Sequence, residues 1–225
     1  MMNFIRKFKH LGFDGGKAQK YDSMSRENRM TEFQQEAREI ASWLKPGSVV
    51  LDVGSGPGYL AIEIAKLGDF KVSGLDVSGA AIDIAKKNAE ELGQAVRFFT
   101  GSASQIPFGA NSIDGIVCVL AFKNFKGPLE CLNEFYRVLR PGGQAVIFDL
   151  DRNMSLARVK NLAAMLGLKG FTAYFAAAIQ RSGAYTRDEI RSMVGRSCFE
   201  GTEIGPSRYG MKVTLNKGER VSGPV

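Results

Sequence analysis

The sequence predicts an α/β fold, with a mostly parallel sheet of seven strands, helices on both faces and an antiparallel last strand. Between residues 49 and 150, apolar runs of strand length alternate five times with segments whose apolar residues recur at helical spacing. The runs are apolar throughout, as expected for parallel strands that are buried on both faces. Two short runs near the C-terminus add an antiparallel pair at the sheet edge. At 225 residues and 44% hydrophobic, the chain is long enough for one full-sized domain.

Local signals begin or end most of the predicted elements. Pro46-Gly47 ends the first helix, Ser78 is placed to cap the third, and Thr186 with Glu189 forms a capping box before the last. The predicted strands are 49–53, 71–75, 96–100, 113–120, 144–150, 200–204 and 209–215. The predicted helices are 27–44, 59–67, 78–92, 128–139, two short helices within 155–180, and one after Thr186. Residues 140–143 and Gly205-Pro206 are predicted turns, and 216–225 a frayed tail.

Composition favours a cytoplasmic protein. Cys118, Cys131 and Cys198 are widely spaced without a C-x-x-C pair, so we expect neither a disulfide framework nor a metal site. No apolar stretch reaches the roughly 20 residues that a membrane span needs, and the N-terminal residues lack the pattern of a signal peptide. The net charge of +7 is concentrated in the C-terminal third, which we interpret as a solvated basic face.

A glycine-rich turn follows the first strand in the run LDVGSGPGYL, where Gly54, Gly56 and Gly58 alternate with other residues. Such a turn lets the backbone approach a ligand closely, because glycine has no Cβ. No Gly-Lys-Ser/Thr follows, which excludes a P-loop. A dinucleotide fingerprint would have Gly or Ala at the sixth position, where this chain has Tyr59.

Two carboxylates narrow the choice of ligand. Asp52 precedes the first glycine by two residues, where it would repel a pyrophosphate and suit a ligand with a sulfonium or an α-amino group. Asp76 ends the second strand, where a carboxylate can accept hydrogen bonds from both hydroxyls of a ribose. The alternative for Asp76 is a cap of the helix that follows.

Five segments resemble the class I S-adenosylmethionine (SAM)-dependent methyltransferases: LDVGSGPGYLAIEIAKLG, VSGLDVS, TGSASQIPF, SIDGIVCVLAFKN and EFYRVLRPGGQAVIFD, in this order. The match covers about residues 45–150. It implies the Rossmann-like fold of that family, SAM as methyl donor and S-adenosylhomocysteine (SAH) as product. The resemblance assigns cofactor binding to ten residues: Asp52, Gly54, Ser55, Gly56, Gly58, Asp76, Val77, Ser102, Ala103 and Val119.

The same resemblance implies a role for each part of the ligand site. The backbone of residues 54–56 would line the methionine part of SAM, with Asp52 near its amino group and Asp76 on the ribose. Val77 would pack on the adenine, and the backbone of Ala103 would bind the adenine edge.

Less of the resemblance extends to the chemistry of methyl transfer. Ser102 stands where the family commonly has Asp, and Val119 would face the methyl donor region. The catalytic residue is unknown, with Tyr21, Lys123 and Asn124 as candidates. Tyr21 lies where related methyltransferases bring an aromatic ring over SAM. Lys123 and Asn124 occupy the place of the G-L-R-N run in quinone-biosynthesis C-methyltransferases, with lysine in place of arginine.

Three further side chains could serve as a base, namely His10, Asp149 and Asp151. His10 is the only histidine, and the two acids follow the fifth strand at the ligand-binding edge. The alternatives are an exposed histidine and a helix-capping role for the acids.

The sequence also suggests a domain organisation and a class of acceptor, although the resemblance does not extend to the acceptor. Residues 1–45 would form an N-terminal helical arm that caps the cofactor site, and 46–225 the methyltransferase domain with a helical lid inserted at about 151–184. Because this lid is rich in apolar residues, we expect a small, hydrophobic methyl acceptor. Packing on the sheet or a homodimer interface would account for the same residues.

Two other classes of function stay open. A nucleic-acid methyltransferase would use the basic C-terminal third, and a non-catalytic binding module would use the SAM fold alone. No N-P-P-Y or D-P-P-Y tetrad follows the fourth strand, so we expect no nucleic-acid partner.

Overall fold

The computed structural model describes residues 15–165 and 181–219. Its strands are β1 (Val49–Val53), β2 (Lys71–Asp76), β3 (Arg97–Thr100), β4 (Ile113–Val119), β5 (Leu139–Asp149), β6 (Glu203–Pro206) and β7 (Met211–Asn216). They form one sheet in the order β3-β2-β1-β4-β5-β7-β6. β7 is antiparallel to both of its neighbours, and the other pairs are parallel. The predicted parallel sheet with an antiparallel pair at its edge is confirmed.

Helices cover both faces of this sheet. Those in the described residues are α1 (Gly15–Asn28), α2 (Met30–Ala41), α3 (Tyr59–Ala65), α4 (Gly79–Glu91), α5 (Pro128–Val138), α6 (Leu156–Met165) and α7 (Arg187–Val194). α2, α3 and α4 pack on one face and α5 and α7 on the other, so two apolar cores flank the sheet. The predicted caps are confirmed: Ser78 accepts from the Ala81 amide at 3.2 Å, and Thr186 forms the capping box of α7.

The N-terminal region differs from the prediction, because two helices replace the one predicted over 27–44. The helix breaks at Arg29, whose φ of −121° and ψ of 1° lie outside the helical range, and whose side chain is buried. The apolar stripe of α2, with Phe33, Ala37 and Ile40, is buried as predicted. α1 lacks such a stripe and forms against α4, so local periodicity does not reveal it.

Two predicted turns are parts of strands. β5 begins at Leu139, because Leu139 pairs with Ile113 ahead of a register shift that accommodates residues 140–143. Gly205 and Pro206 belong to β6, where they pair with the start of β7. β6 is the edge strand, and a proline is tolerated there because one side of the strand needs no partner.

The strand register decides which side chains meet at the carboxyl edge of the sheet. Asp52 is aligned with Val117, and Val119 with Phe148. Side chains alternate along a strand, so these four residues point to the same face, which α2 covers. The strand order reverses between β1 and β4, and such a switch point is where α/β sheets bind ligands.

Part of the predicted organisation lies outside the described residues. This applies to His10, to the lid residues 166–180 and to the tail beyond residue 219. Within the described residues, no helix is both long and apolar enough to cross a bilayer.

Candidate functional site

The glycine-rich turn after β1 uses its own amide groups internally. Four amides donate to protein oxygens: Gly54 and Ser55 to Leu75 O (2.7 and 3.1 Å), Gly56 to Asp76 Oδ2 (2.9 Å) and Gly58 to Ser55 O (3.0 Å). A turn that binds phosphate directs its amides at the ligand. The backbone groups that this turn can offer are therefore carbonyl oxygens, which accept hydrogen bonds from a cationic group.

Two of the glycines are required by close packing. A Cβ on Gly54 would lie 2.4 Å from Ala121 Cβ, so the turns after β1 and β4 touch at the switch point. A Cβ on Gly58 would lie 2.6 Å from the Phe98 ring. Both residues have positive φ, of 80° and 82°, which glycine adopts without strain.

Tyr59, at the sixth position of the turn, faces the N-terminal helices. Its ring stacks on Phe33 at 5.8 Å between centroids. Its hydroxyl donates to Asp22 Oδ1 (2.8 Å) and accepts from Arg26 Nε (3.1 Å). Tyr59 therefore holds α1 and α2 against α3, and the close approach of strand and helix occurs at Gly58.

Asp52 is 2% exposed at the end of β1. Burial, with smaller contributions from the charges of Asp76 and Glu36, raises the pKa of its carboxyl to about 8. None of the described residues forms a hydrogen bond or ion pair with this carboxyl. A ligand with an ammonium group would supply the missing charge, as the sequence predicted.

The predicted ribose and adenine residues lie side by side at the ends of β2 and β3. Asp76 accepts from the amides of Gly56 and Ser78, both at 2.9 Å, and so joins the glycine turn to α4. Burial raises the pKa of Asp76, and these amides oppose the shift. Val77 is 72% exposed, and a stacked base would cover this side chain. Ser102 Oγ lies 2.8 Å from Ser104 Oγ, at the exposed start of the next loop.

A buried network that the sequence did not predict connects the N-terminal helices to the turn between β6 and β7. Tyr21 places its ring at the glycine turn, 3.6 Å from where a Cβ of Gly56 would be. Arg29, 1% exposed, donates to the hydroxyls of Tyr21 (2.6 Å) and Tyr209 (3.2 Å). Tyr209 in turn donates to Glu36. One signal was present, since Glu36 lies on the apolar stripe of α2, where a charged residue is unexpected.

Lys123, a candidate catalytic residue, is 6% exposed and points inward. Its Nζ donates to Leu120 O at 2.7 Å and lies 3.8 Å from Asp149 Oδ1, while its amide donates to Asp149 Oδ2 at 2.8 Å. These contacts hold the loop after β4, in which Leu120 has a φ of +55°. Asn124, in the short 3-10 helix Phe122–Asn124, is exposed.

The other predicted acids also have protein partners. Asp149 accepts from Lys123 and Leu150, and Asp151 accepts from the Asn153 amide (2.9 Å) and from Arg187 Nε (3.0 Å). Both acids are therefore held by contacts within the protein. Cys118 is fully buried, and burial raises the pKa of its thiol, so it stays protonated in the core.

Comparison with known proteins identifies a family to which this chain is similar. Residues 50–143 match the family model described as a methyltransferase domain. A demethylmenaquinone methyltransferase of Deinococcus radiodurans is 32% identical over 138 residues, which are 60% of this chain and 53% of that protein. The chain carries a class I SAM-dependent methyltransferase domain. It spans about half the length of the curated relatives that it matches.

Other similar proteins support the same fold and differ in the acceptors that their names state. An O-methyltransferase of Pyrenophora dematioidea is 35% identical over 107 residues, 47% of this chain and 40% of that protein. The plantazolicin methyltransferase BpumL, solved with a desmethyl analog and SAH, superposes with a TM-score of 0.75. At 17% identity, with 97% of this chain and 98% of that chain covered, this likeness shows the methyltransferase fold.

The glycine-rich turn of this methyltransferase domain fits SAM, the methyl donor of the family. Asp52 is a buried carboxylate without a partner among the described residues, and the amides of residues 54, 55, 56 and 58 are already bonded. These hydrogen-bond acceptors suit the ammonium end of SAM better than they suit a phosphate.

Proposed function

We propose that this protein transfers a methyl group from SAM to a small-molecule acceptor. The observation that carries the proposal is Asp52, which is buried and has no partner in the described part of the chain, beside a glycine turn whose amides are internally bonded. A phosphate-bearing cofactor would meet a carboxylate there, and the amides of residues 54, 55, 56 and 58 are already bonded within the protein, whereas the amino group of SAM would meet an acceptor of opposite charge.

The residues that would hold SAM follow the carboxyl edge of the sheet. Asp52 and the carbonyls of the turn would accept from its amino group, Asp76 from its ribose hydroxyls, and Val77 would contact its adenine. Ser102 and Ala103, at the end of β3, would bind the adenine edge. Bound SAM supplies a methyl group that its sulfonium already activates.

The protein then contributes alignment and exclusion of water. Such positioning can be worth ~7–11 kcal/mol of the barrier, so methyl transfer needs no elaborate catalytic cluster. Tyr21 and Arg29 would cover the turn from the N-terminal side, in agreement with an arm over residues 1–45. Val119, aligned with Phe148 at the end of β4, would face the transferred methyl group.

An apolar surface borders this position and favours an acceptor with an apolar body. Val119 and Leu120 pack against the cluster that contains Phe148, Leu150 and Met154. Several relatives are named for methyl transfer in menaquinone or ubiquinone biosynthesis. The lid proposed at 151–184 would close over the same surface.

Binding of SAH and of NAD distinguishes the proposal from the dinucleotide alternative. Calorimetric titration of the purified chain should give a micromolar or tighter dissociation constant for SAH and no heat with NAD. Asp52→Asn should weaken SAH binding by at least tenfold, and Asp83→Asn, an exposed acid on α4, should leave it unchanged. Binding of NAD, or equal SAH affinity in Asp52→Asn, would overturn the proposal.

A further inference from the structure

A cleft of about 250 Å³ lies between α2 and the turn that joins β6 to β7. Its walls include Glu36 and Glu39 of α2, Phe148 of β5, Lys212 of β7, and Arg208 and Tyr209 of the turn. The glycine turn does not contribute to the lining. An apolar cavity of ~150 Å³ accommodates benzene, so this cleft can hold a small aromatic or alkyl compound with a polar group.

The cleft occupies the next place along the carboxyl edge after the position of the methyl group. The proposed contacts of SAM run from β3 through β2 and β1 to Val119 on β4. Phe148, which lines the cleft, is aligned with Val119 and points to the same face of the sheet. A compound in the cleft would therefore lie beyond the methyl group, on the side away from the adenine.

Glu36 gives the cleft a requirement for a cationic donor. This residue is 2% exposed, and its Oε1 accepts from the Tyr209 hydroxyl. Its Oε2 is buried and has no hydrogen-bond partner among the described residues. An unpartnered buried acceptor is unfavourable, and a carboxylate oxygen is matched best by a charged donor.

The charges of Arg29 and Arg208 act on Glu36 and lower the pKa of its carboxyl, against the raising effect of burial, but within the described residues neither arginine forms a hydrogen bond or ion pair with it. Arg29 donates to the hydroxyls of Tyr21 and Tyr209. Lys212 donates to Glu39 at 2.6 Å, and its Nζ lies 5.5 Å from the centre of the Phe148 ring. Arg208 lies at the turn without an ion pair within the described residues, so an anionic compound is the main competing occupant.

We propose that the cleft binds the methyl acceptor by an ammonium group, which Glu36 accepts while Phe148 contacts the apolar body. This inference rests on the proposed function, because it is the position of the methyl group that makes the occupant an acceptor. It restricts the acceptor from any small apolar compound to one that carries an amine.

Three probes with one apolar body and different charges test the requirement: phenethylamine, 2-phenylethanol and 3-phenylpropionate. Calorimetric titration measures the affinity of each probe. In the SAH-saturated protein, we expect phenethylamine to bind at least tenfold more tightly than the alcohol, and the acid more weakly than both. Equal binding of amine and alcohol, or preferred binding of the acid, would overturn the proposal without any variant.

A matched pair of variants locates the amine. Glu36→Gln keeps an acceptor for Tyr209 and removes the charge. The variant should therefore bind phenethylamine no more tightly than it binds 2-phenylethanol. Glu203→Gln, on the exposed edge strand, should bind the amine as the unmodified chain does. Retained amine preference in Glu36→Gln contradicts the inference.

Competition with SAH separates this inference from the proposed function. If saturating SAH displaces phenethylamine, the ammonium occupies the methionine end of the cofactor site and the inference is wrong. If SAH itself does not bind, the proposed function fails, and the amine experiment then tests the cleft alone. Binding of SAH and phenethylamine together supports both.

Discussion

At the scale of single residues, Asp52 combines a buried position with a proposed ionic contact, and these two properties oppose each other. Its burial raises the pKa of the carboxyl to about 8, so the acid is largely protonated at neutral pH. The proposed ligand contact requires the ionised form. Binding of an ammonium group should therefore lower this pKa and release a proton.

The first prediction is a pH dependence of SAH affinity. Between pH 6 and pH 7.5 the affinity should rise by up to about tenfold per pH unit, because each binding event releases close to one proton in that range. Calorimetry in two buffers of different ionisation enthalpy measures the released protons. Asp52→Asn should bind SAH weakly and without this dependence, and an affinity of the unmodified chain that does not vary with pH would contradict the assignment.

A second prediction concerns stability at the same residue. The folded-state pKa of Asp52 lies above its unfolded value, so the folded state loses stability as the pH rises toward about 8. Asp52→Asn removes this loss. The melting temperature of the variant, relative to the unmodified chain, should therefore increase from pH 5 to pH 8 in thermal unfolding followed by circular dichroism. A constant difference across that range would mean that Asp52 titrates normally.

At the scale of elements, the loop after β4 depends on a lysine whose position suggested catalysis. The Nζ of Lys123 donates to Leu120 O, and the pair with Asp149 joins the ends of β4 and β5. Leu120 adopts a φ of +55°, a conformation that costs about 1 kcal/mol or more for a residue with a Cβ. The surrounding contacts must hold it, and those of Lys123 are nearest in sequence.

Removal of this lysine should destabilise the protein. Lys123→Met leaves Asp149 buried without a cationic partner, which typically costs about 3–5 kcal/mol of the free energy of unfolding. Lys126→Met, three residues away and exposed, should change it by less than about 0.5 kcal/mol. Urea unfolding measures both. A Lys123→Met variant as stable as the unmodified chain would show that the loop is held by other contacts.

At the scale of the whole molecule, the chain brings its N-terminal helices and its last hairpin together at one edge of the sheet. Arg29 is one of the contacts between them, since it donates to Tyr21 over the glycine turn and to Tyr209 at the hairpin. It also lies 4.5 Å from the centre of the Phe33 ring. The N-terminal helices are therefore held beside the glycine turn.

Loss of this contact should release the arm. Arg29→Met removes two hydrogen bonds to a buried charge, each worth about 1.5–3 kcal/mol, so trypsin should cleave within α1 at least tenfold faster. SAH affinity should fall as well, because Tyr21 is no longer held over the turn. Arg38→Met, on the exposed side of α2, is the control and should change neither rate nor affinity. If trypsin cleaves Arg29→Met at the same rate as the unmodified chain, the N-terminal helices are held by Tyr59 and its partners and not by Arg29.

Sequence by itself determined the sheet, most of its strands and the position of the cofactor turn, because apolar periodicity, glycines and caps are local signals. It also placed Asp52, Asp76 and Val77 at strand ends, which parallel pairing brings to one edge. Helix α1, the early start of β5 and the network of Arg29, Glu36 and Tyr209 were decided only by tertiary structure. Tyr209 is 173 residues from Glu36 and 180 from Arg29, so no local pattern records their contact. The protonation of Asp52 and the inward position of Lys123 likewise depend on burial, which arises only when distant segments pack together.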